Sequence, residues 1–306
     1  RSLGPVSVGD GCAIVHLRRQ VLRIWLDWQD AARIEMSVEV GAVPHPGPDV
    51  VHRWVKPTCL RPSEVQAYLF ILRVVEAATL WFGAGGLFHA AALERDGAAL
   101  VITSAGGVGK TSSAAALLRR AGWRYLSDDV LPFDAAGAVR SYPRAAMVYR
   151  YNTRVDPELR RRLLASRGLV DRSQWRLYEK LGVDRLRRRV APGIVGAVPR
   201  GDEAFPIGLA VFLVRGSSQD VTSRPIEAEE FARRALAVSS IELAELLDVV
   251  RLLEAAGAAP CATDDIVQRL SERYRSIAHD RAFEVVIGRS SGPDAVANHL
   301  ADLFEA

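Results

Sequence analysis

Lysine is nearly absent from this sequence, although positive charge is not. Of its 40 Lys and Arg residues, only Lys56, Lys110 and Lys180 are lysines. Arginine presents a planar fork of donors and lysine a compact point charge. A lysine retained after Gly109 in such an arginine-rich chain therefore points to a site that needs a point charge.

Cysteine is also scarce, and long apolar runs are missing. Cys12, Cys59 and Cys261 are few, odd in number and far apart, which fits neither a disulfide framework nor a cysteine metal site. No apolar run approaches the roughly 18 residues that a membrane span requires, and no charged-then-apolar leader opens the chain. We therefore expect a cytoplasmic protein without a membrane partner.

The composition that remains is typical of a globular protein with a sizeable core: 306 residues, 49% hydrophobic and 25% charged. Three runs rich in β-branched and aromatic residues within 13–40 predict an antiparallel meander. Ser63 and Gln66, at capping-box spacing, open a long core helix that runs to the glycine stretch 83–86. The sequence predicts a small α+β region over 1–86, a β-meander plus helix, and a second domain over 87–306.

A glycine-rich segment organises the second domain. It follows the apolar run 98–102 and precedes the helix-forming run 113–118, which is the context of a phosphate-binding loop. Glycines let backbone N–H groups converge on an anion, and the helix that follows adds its positive dipole end. The alternative is an ordinary strand-to-helix turn with an exposed lysine. The candidate nucleotide-binding residues are Ser104, Ala105, Gly106, Gly107, Val108, Gly109, Lys110, Thr111 and Ser112.

Two members of this segment have specific roles in such a loop, and one departs from the motif. We expect Lys110 to reach the β- and γ-phosphates of a nucleotide and the hydroxyl of Thr111 to bind Mg²⁺. Ser104 stands where the motif G-x-x-x-x-G-K-[ST] has its first glycine. This departure weakens the motif without removing it.

A hairpin is predicted immediately before the loop. The run 87–93 pairs with 98–102 across Asp96 and Gly97, because Asp-Gly supplies the positive φ of a tight turn. Antiparallel pairing of these two strands brings His89 to the end of the second strand, beside the loop. A lone histidine on a strand is otherwise a structural residue, and both interpretations stay open here.

Two acids end the next predicted strand. The apolar segment 123–126 is followed by Ser127, Asp128 and Asp129. A strand that ends in acids after such a helix is where a nucleotide site keeps a carboxylate that accepts a proton or binds metal. Adjacent residues of a strand point to opposite sides, so at most one of the two faces the γ-phosphate.

His89, the phosphate loop one hairpin later and the Ser127-Asp128-Asp129 strand end together resemble the catalytic domain of HPr kinase/phosphorylase. They are still more similar to its smaller relatives in biosynthetic clusters for ribosomal peptides, the lasso peptide tail kinases. The resemblance implies an α/β fold in which an HPr-kinase-like P-loop catalytic domain is built on a mixed sheet. It also implies ATP, Mg²⁺ and transfer of phosphate to a serine of a peptide or small protein.

The resemblance assigns roles to individual positions, and it is closest over residues 87–150. Asp128 matches the aspartate that takes the proton from the acceptor hydroxyl, His89 the active-site histidine, and Asp129 the second acid, which with Thr111 is the candidate metal residue. A Pro-Arg segment on the rim makes Arg144 a candidate contact to the acceptor or its phosphate. The signature segment that serves phosphorolysis in the bifunctional enzyme has no counterpart, so the reverse reaction is not implied.

Positive charge is concentrated in residues 160–189. This segment has eleven Lys or Arg against three acids, a net of +8, in a chain whose total is +4. Interleaved leucines predict one or two amphipathic helices with a basic face. That face is either simply solvated or binds an acidic acceptor, for which Arg187, Arg188 and Arg189 are the candidate contacts. Basic patches also attract nucleic acid, but an anionic peptide is the partner we expect.

These patterns predict a kinase that transfers the γ-phosphoryl group of ATP to a serine hydroxyl. A nucleotide-switched binding module and a small-molecule kinase remain alternatives with the same site. The product separates them: a switch hydrolyses ATP slowly without an acceptor, and the two kinases differ in the acceptor that becomes labelled. The oligomeric state, a homo-oligomer included, stays open.

Overall fold

The computed structural model describes strands within residues 2–42, helical positions at 72, 76, 79 and 80, and residues 85–306 apart from 143, 184–185, 201–202, 256–260 and 279–280. The first part forms a five-stranded antiparallel sheet in sequence order, so the predicted meander is confirmed with two additional strands. The capping box at Ser63 and Gln66 lies outside the described residues. The strands of this sheet are β1 (Ser2–Leu3), β2 (Val6–Gly9), β3 (Cys12–His16), β4 (Gln20–Asp30) and β5 (Arg33–Ala42).

The rest of the described chain consists of strands and helices in mixed order. The strands are β6 (Gly86–Phe88), β7 (Ala90–Arg95), β8 (Ala98–Thr103), β9 (Arg124–Ser127), β10 (Leu131–Phe133), β11 (Val139–Arg140), β12 (Ala146–Tyr149), β13 (Arg187–Val190), β14 (Ala204–Phe205), β15 (Ile207–Arg215), β16 (Thr222–Pro225) and β17 (Ala282–Ile287). The helices are α1 (Lys110–Leu117), α2 (Arg150–Val155), α3 (Pro157–Ala165), α4 (Leu169–Lys180), α5 (Pro192–Val195), α6 (Ala228–Glu242), α7 (Ala244–Ala255), α8 (Thr263–Ile277) and α9 (Pro293–Glu305).

A six-stranded mixed sheet is the centre of this part of the chain. Its strand order is β16-β17-β15-β8-β7-β9. Strand β15 is parallel to both β8 and β17, whereas β7 is antiparallel to both β8 and β9, and β16 is antiparallel to β17. The predicted α/β class with a mixed sheet is therefore confirmed.

The predicted hairpin is present, but its first strand is interrupted. Asp96 and Gly97 form the two-residue turn between β7 and β8 with φ of 53° and 84°, as a tight hairpin turn of this kind requires. Residues 86–88, however, pair with β10 in a separate four-stranded antiparallel sheet of order β14-β11-β10-β6. The continuous strand predicted over 87–93 is therefore wrong, and His89 occupies the step between the two sheets.

Each face of the central sheet supports its own core. Side chains of β8 and β15 alternate between the two faces, as strand geometry dictates. Helices α1 and α9 cover one face, and helices α6, α7 and α8 cover the other together with the four-stranded sheet. A third core forms where α3 and α4 pack on the β12–β13 pair. Helices α3 and α4 confirm the two amphipathic helices predicted from the basic segment.

Residues before position 86 contribute to the main core. Leu72 and Leu80 are buried in the cluster that α6 and α8 form with the central sheet, and Arg269 Nη2 donates to the carbonyl of Leu80 over 2.7 Å. The domain boundary predicted at residue 86 stays a prediction, since packing continues across it at these positions. None of the described helices is both long and apolar enough to cross a lipid bilayer.

Removal of a core side chain from β8 should destabilise the protein. The side chain of Leu100, on β8, is fully buried against the helices α1 and α9. Leu→Ala at such a position lowers the free energy of unfolding by about 2–5 kcal/mol. Leu181→Ala is the matched control, because this leucine is 66% exposed and its loss should change the free energy of unfolding by less than about 0.5 kcal/mol. Urea denaturation measures both, and equal effects would contradict the assigned packing.

Candidate functional site

The central sheet brings the candidate residues to one edge. Strands β8 and β9 run in the same direction with antiparallel β7 between them, so their carboxyl ends meet the start of β7. Thr103 pairs with Ala90 and Ser127 with Ala92. The residues that follow β8, those that follow β9, and His89 before β7 are therefore neighbours, although up to 40 positions of sequence separate them.

The glycine-rich loop (residues 104–109) connects β8 to α1. Gly107 has φ of 79° and Gly109 of 128°, values that a residue with a Cβ adopts only with strain. Gly109 is also the N-cap of α1 and has no side chain with which to cap the first amides of the helix. These N–H groups point out of the helix end, where an anion is the natural acceptor.

Serine fits the first position of this loop, where the motif has glycine. Within the described part of the chain, the non-glycine residues with positive φ are Asp96 and Asp129, so the backbone of Ser104 requires no glycine. Its hydroxyl donates to the Ala105 carbonyl over 3.0 Å, and the residue is buried. The departure from the motif therefore leaves the loop conformation possible.

Lys110 and His89 form the shortest polar contact of the site. The two atoms, Lys110 Nζ and His89 Nε2, lie 2.5 Å apart, and both residues are buried. A protonated ammonium has no lone pair, so Nζ donates and the imidazole nitrogen accepts. Burial, and then the lysine charge, lower the pKa of His89 to about 4, against the opposing effects of Asp129. The histidine is therefore neutral at pH 7, as an acceptor must be.

The Lys110 ammonium is compensated by acids from two directions. Burial lowers the pKa of this lysine, while Asp128, Asp129 and Glu242 act to raise it. The positive charge at the start of α1 is therefore removed from water and balanced by these acids. Lys110 lies beside the loop, as the sequence predicts. Its contact with the β- and γ-phosphates of a nucleotide stays a prediction.

Asp128 contacts the residue that follows this lysine. Thr111 Oγ1 donates to both carboxylate oxygens of Asp128, at 3.0 and 3.1 Å. Burial raises the pKa of Asp128 to about 6, with the charge of Asp129 adding to the effect and Lys110 and Thr111 opposing it. The carboxylate is thus buried, is held by Thr111 and has a pKa close to neutral pH. A group that accepts a proton in a reaction needs these properties.

Asp129 lies on the other side of the strand end. It is half-buried with φ of 79°, a conformation that costs free energy and is concentrated at functional sites. The His89 ring makes a hydrogen bond to its backbone. The structure thus places Asp128 on Thr111 and Asp129 beside His89, whereas the sequence analysis paired Thr111 with Asp129 as the metal residues.

The acid pair and Thr111 have the chemistry of a magnesium site. Hydroxyl and carboxylate oxygens are hard ligands, and Mg²⁺ that arrives with a nucleotide takes most of its ligands from phosphate and water. The protein then needs to supply only one or two oxygens, and Thr111 together with one carboxylate of the acid pair would be enough to supply them. Among the described residues, no group of three or more His, Cys, Asp or Glu is arranged to hold a metal by itself.

Arg144 lies close to the site but is already paired. It is buried, and its Nη1 donates to Glu76 Oε1 over 3.0 Å, where the Tyr142 hydroxyl also donates. Its charge is near enough to contribute to the lowered pKa of His89. Arg144 is therefore held by Glu76 close to His89. Its predicted contact with an acceptor stays a prediction.

Arginines of the basic segment (residues 160–189) form ion pairs with acids of the same chain. Arg160 pairs with Glu179 over 2.7 Å. Arg188 is 1% exposed, donates to Asp171 over 2.8 Å and stacks on Trp175. The prediction of an acceptor contact is therefore wrong for Arg188, because its guanidinium holds β13 against α4. The amphipathic pattern could not distinguish a buried arginine from a solvated one.

The two neighbours of Arg188 differ in exposure. Arg187 is exposed and lies over the ring of Tyr149, with 6.0 Å between its guanidinium carbon and the ring centroid. Arg189 is half-buried, and its carbonyl accepts a hydrogen bond from Arg167. Of the three predicted acceptor contacts, Arg187 is the one that the fold presents at the surface near α2.

Helix α6 contributes two residues that the sequence analysis missed. Ser239 Oγ accepts a hydrogen bond from the His89 amide over 3.3 Å. A Cβ on Gly106 would lie 2.9 Å from Glu242 Oε1, so glycine at this position allows the carboxylate to approach the loop. Neither residue belongs to a motif, and more than 120 positions separate them from the loop, so the sequence carried no signal for them.

The comparisons with known proteins add nothing to this geometry. No protein family model matches the chain, and a search of curated proteins finds no relative.

Replacement of His89 should separate a positioning role from a purely structural one. His89→Ala removes the acceptor that orients Lys110 and should lower the rate of the site's reaction by up to about 10²-fold, since small misplacements cost that much. His89→Gln keeps a neutral acceptor and should recover most of this rate. We would measure the ATP turnover that the sequence predicts, together with thermal unfolding, and equal losses in both variants would contradict the positioning role.

Proposed function

We propose that this protein is an ATP-dependent kinase that transfers the γ-phosphoryl group to a hydroxyl, namely a serine of a peptide or small protein. One observation carries the proposal. A buried lysine at the first position of α1 is held by His89, and a buried carboxylate, Asp128, lies on the hydroxyl of the next residue. The glycine-rich loop, the Lys110 ammonium and the Asp128 carboxylate lie together at one edge of the sheet. Phosphoryl transfer needs groups of these three kinds to bind the phosphates and to accept a proton.

Binding of the triphosphate rests on the glycine-rich loop and Lys110. The loop amides and the N–H groups at the amino end of α1 would donate hydrogen bonds to the phosphate oxygens, and the ammonium would bind the β- and γ-phosphates. When bound, Mg²⁺ supplies positive charge to these oxygens, with Thr111 and a carboxylate of the acid pair as its protein ligands. Lys110 is already buried, so binding would not have to remove its charge from water.

The transfer step needs a group that takes the proton of the acceptor. The hydroxyl oxygen forms the bond to the γ-phosphorus, the bond from that phosphorus to the β–γ bridging oxygen breaks, and ADP leaves with the electron pair. Asp128 accepts the hydroxyl proton as this happens. With a pKa of about 6, it is mostly ionised at pH 7 and remains basic enough to take a proton.

Helix α4 presents the surface that best suits a peptide acceptor. Its exposed side is apolar as well as basic, a combination typical of surfaces that bind a segment of another chain. Arg176 adds positive charge to it, which favours an acidic segment. The exposed apolar residues of this helix and its end are Leu169, Val170, Leu177 and Leu181.

The two alternatives use the same loop but differ in what else they need. A nucleotide-switched binding module requires no carboxylate that accepts a proton, so the buried carboxylate of Asp128 beside the loop favours a kinase. A small-molecule kinase requires the carboxylate but has no use for the exposed apolar side of α4. The acceptor that becomes labelled from γ-labelled ATP distinguishes the peptide kinase from the small-molecule kinase.

Asp128→Asn tests the proposal directly. The amide keeps the shape of the carboxylate but cannot take a proton, so we expect transfer to fall by about 10²-fold or more while affinity for Mg·ATP stays within a few-fold. Asp302→Asn, on the exposed side of α9, is the matched control and should leave both unchanged. Calorimetry gives the affinity, and single-turnover labelling gives the rate.

Two results would contradict this assignment. Transfer at the wild-type rate in Asp128→Asn would show that the carboxylate is not the proton acceptor. Loss of Mg·ATP binding in the same variant would show that Asp128 serves the nucleotide and not the acceptor, and would favour the switch.

A further inference from the structure

Two tyrosines and an arginine form a stacked column beside the glycine-rich loop. Tyr149 ends β12 and Tyr151 lies in the first turn of α2, with ring centroids 5.2 Å apart and ring planes within 13° of parallel. Arg187 lies over Tyr149. The Asn152 side chain accepts a hydrogen bond from the Tyr149 amide over 2.9 Å and fixes the turn between the two rings.

The column ends on an exposed ring. Tyr151 is 45% exposed, although it lies among buried neighbours such as Asn152 and Arg150. Parallel stacking uses one face of each ring, and the guanidinium is placed over Tyr149 and not over Tyr151. Tyr151 is therefore the outer ring of the stack and is 45% exposed, which makes it suited to contact with another planar group.

The hydroxyl of Tyr151 places this ring at the mouth of the loop. It shares a hydrogen bond with the side chain of Ser112, and the Asp128 carboxylate is near enough to affect its pKa. Ser112 is the third residue of the segment Lys110-Thr111-Ser112 and lies in the first turn of α1. The stack and the loop thus border one space.

The order of groups along the loop defines what would reach Tyr151. In a phosphate-binding loop, the lysine reaches the β- and γ-phosphates, the hydroxyl after it would hold the metal, and the loop amides cradle the α- and β-phosphates. Ser112 is two residues after Lys110, about 200° around the axis of α1 at 3.6 residues per turn, so its side chain leaves the helix on the side away from Lys110 and from the phosphates that the lysine would bind. The nucleoside is attached to the α-phosphate, so it leaves the loop on the side where Tyr151 is exposed.

We propose that the exposed ring of Tyr151 is the platform on which the base of the bound nucleotide stacks. The inference rests on the proposed function, since it concerns the same nucleotide. Stacking reads the flat face of a base and not its edges, so the platform provides affinity with little choice between ATP and GTP. It also gives Arg187 a role in supporting the stack on the nucleotide side, in place of the acceptor contact expected from the sequence.

The test compares a nucleotide with the same phosphates lacking a base. Mg·ATP and Mg·tripolyphosphate are titrated by calorimetry into the wild-type protein, Tyr151→Leu and Tyr151→Phe. Tyr151→Leu should weaken ATP binding by about 5- to 150-fold, the range of one base–aromatic stack, and leave tripolyphosphate binding unchanged. Tyr151→Phe keeps the ring but loses the hydroxyl, so its ratio of ATP to tripolyphosphate affinity should stay within about twofold of the wild-type ratio.

Other outcomes would overturn the platform in distinguishable ways. Unchanged ATP affinity in Tyr151→Leu, with an increased acceptor KM, would assign the ring to the acceptor and leave the kinase proposal standing. Equal weakening of both ligands would show that Tyr151 acts only through Ser112 and the loop. Failure of the wild-type protein to bind either ligand would refute the proposed function together with the platform. Tripolyphosphate binding by the variants serves as the control for an intact loop.

Discussion

The buried ammonium of Lys110 is the feature on which the rest of the site depends. A lysine charge out of water is costly unless other groups compensate it. Here His89 accepts its hydrogen bond, and acids after β9 and at the end of α6 act on it electrostatically. Three separate elements therefore converge on one nitrogen atom. The same arrangement brings Asp128 to within hydrogen-bond distance of Thr111. The packing that stabilises the lysine charge therefore also forms the contact between Asp128 and Thr111.

The mixed sheet makes this convergence possible. In an all-parallel sheet, the residue that precedes a strand lies at the edge opposite the loops that follow the strands. Antiparallel β7, placed between β8 and β9, brings the residue before it to the same edge as their carboxyl ends. His89 reaches Lys110 for this reason. Its position at the step between two sheets also fixes its backbone, through the Thr103 hydroxyl and Ser239.

Local sequence predicted the parts of the site that lie close together in the chain. The Asp-Gly turn, the glycine-rich loop and the acids after β9 each follow from residues within a short window. The sheet change at His89 could not be predicted, because residues on both sides of it are equally apolar and both strands are buried. Glu242 and the burial of Arg188 depend on long-range packing, for which a single sequence contains no signal.

The central claim is that the loop and Lys110 bind the phosphates of a nucleotide, and a pair of lysine variants tests it most directly. Lys110→Ala removes the point charge, while Lys180→Ala removes an exposed lysine from the end of α4. Calorimetric titration with Mg·ATP should show affinity reduced by about 10²-fold or more in Lys110→Ala and unchanged in Lys180→Ala, with both variants folded. Wild-type affinity for Mg·ATP in a folded Lys110→Ala protein would contradict the account.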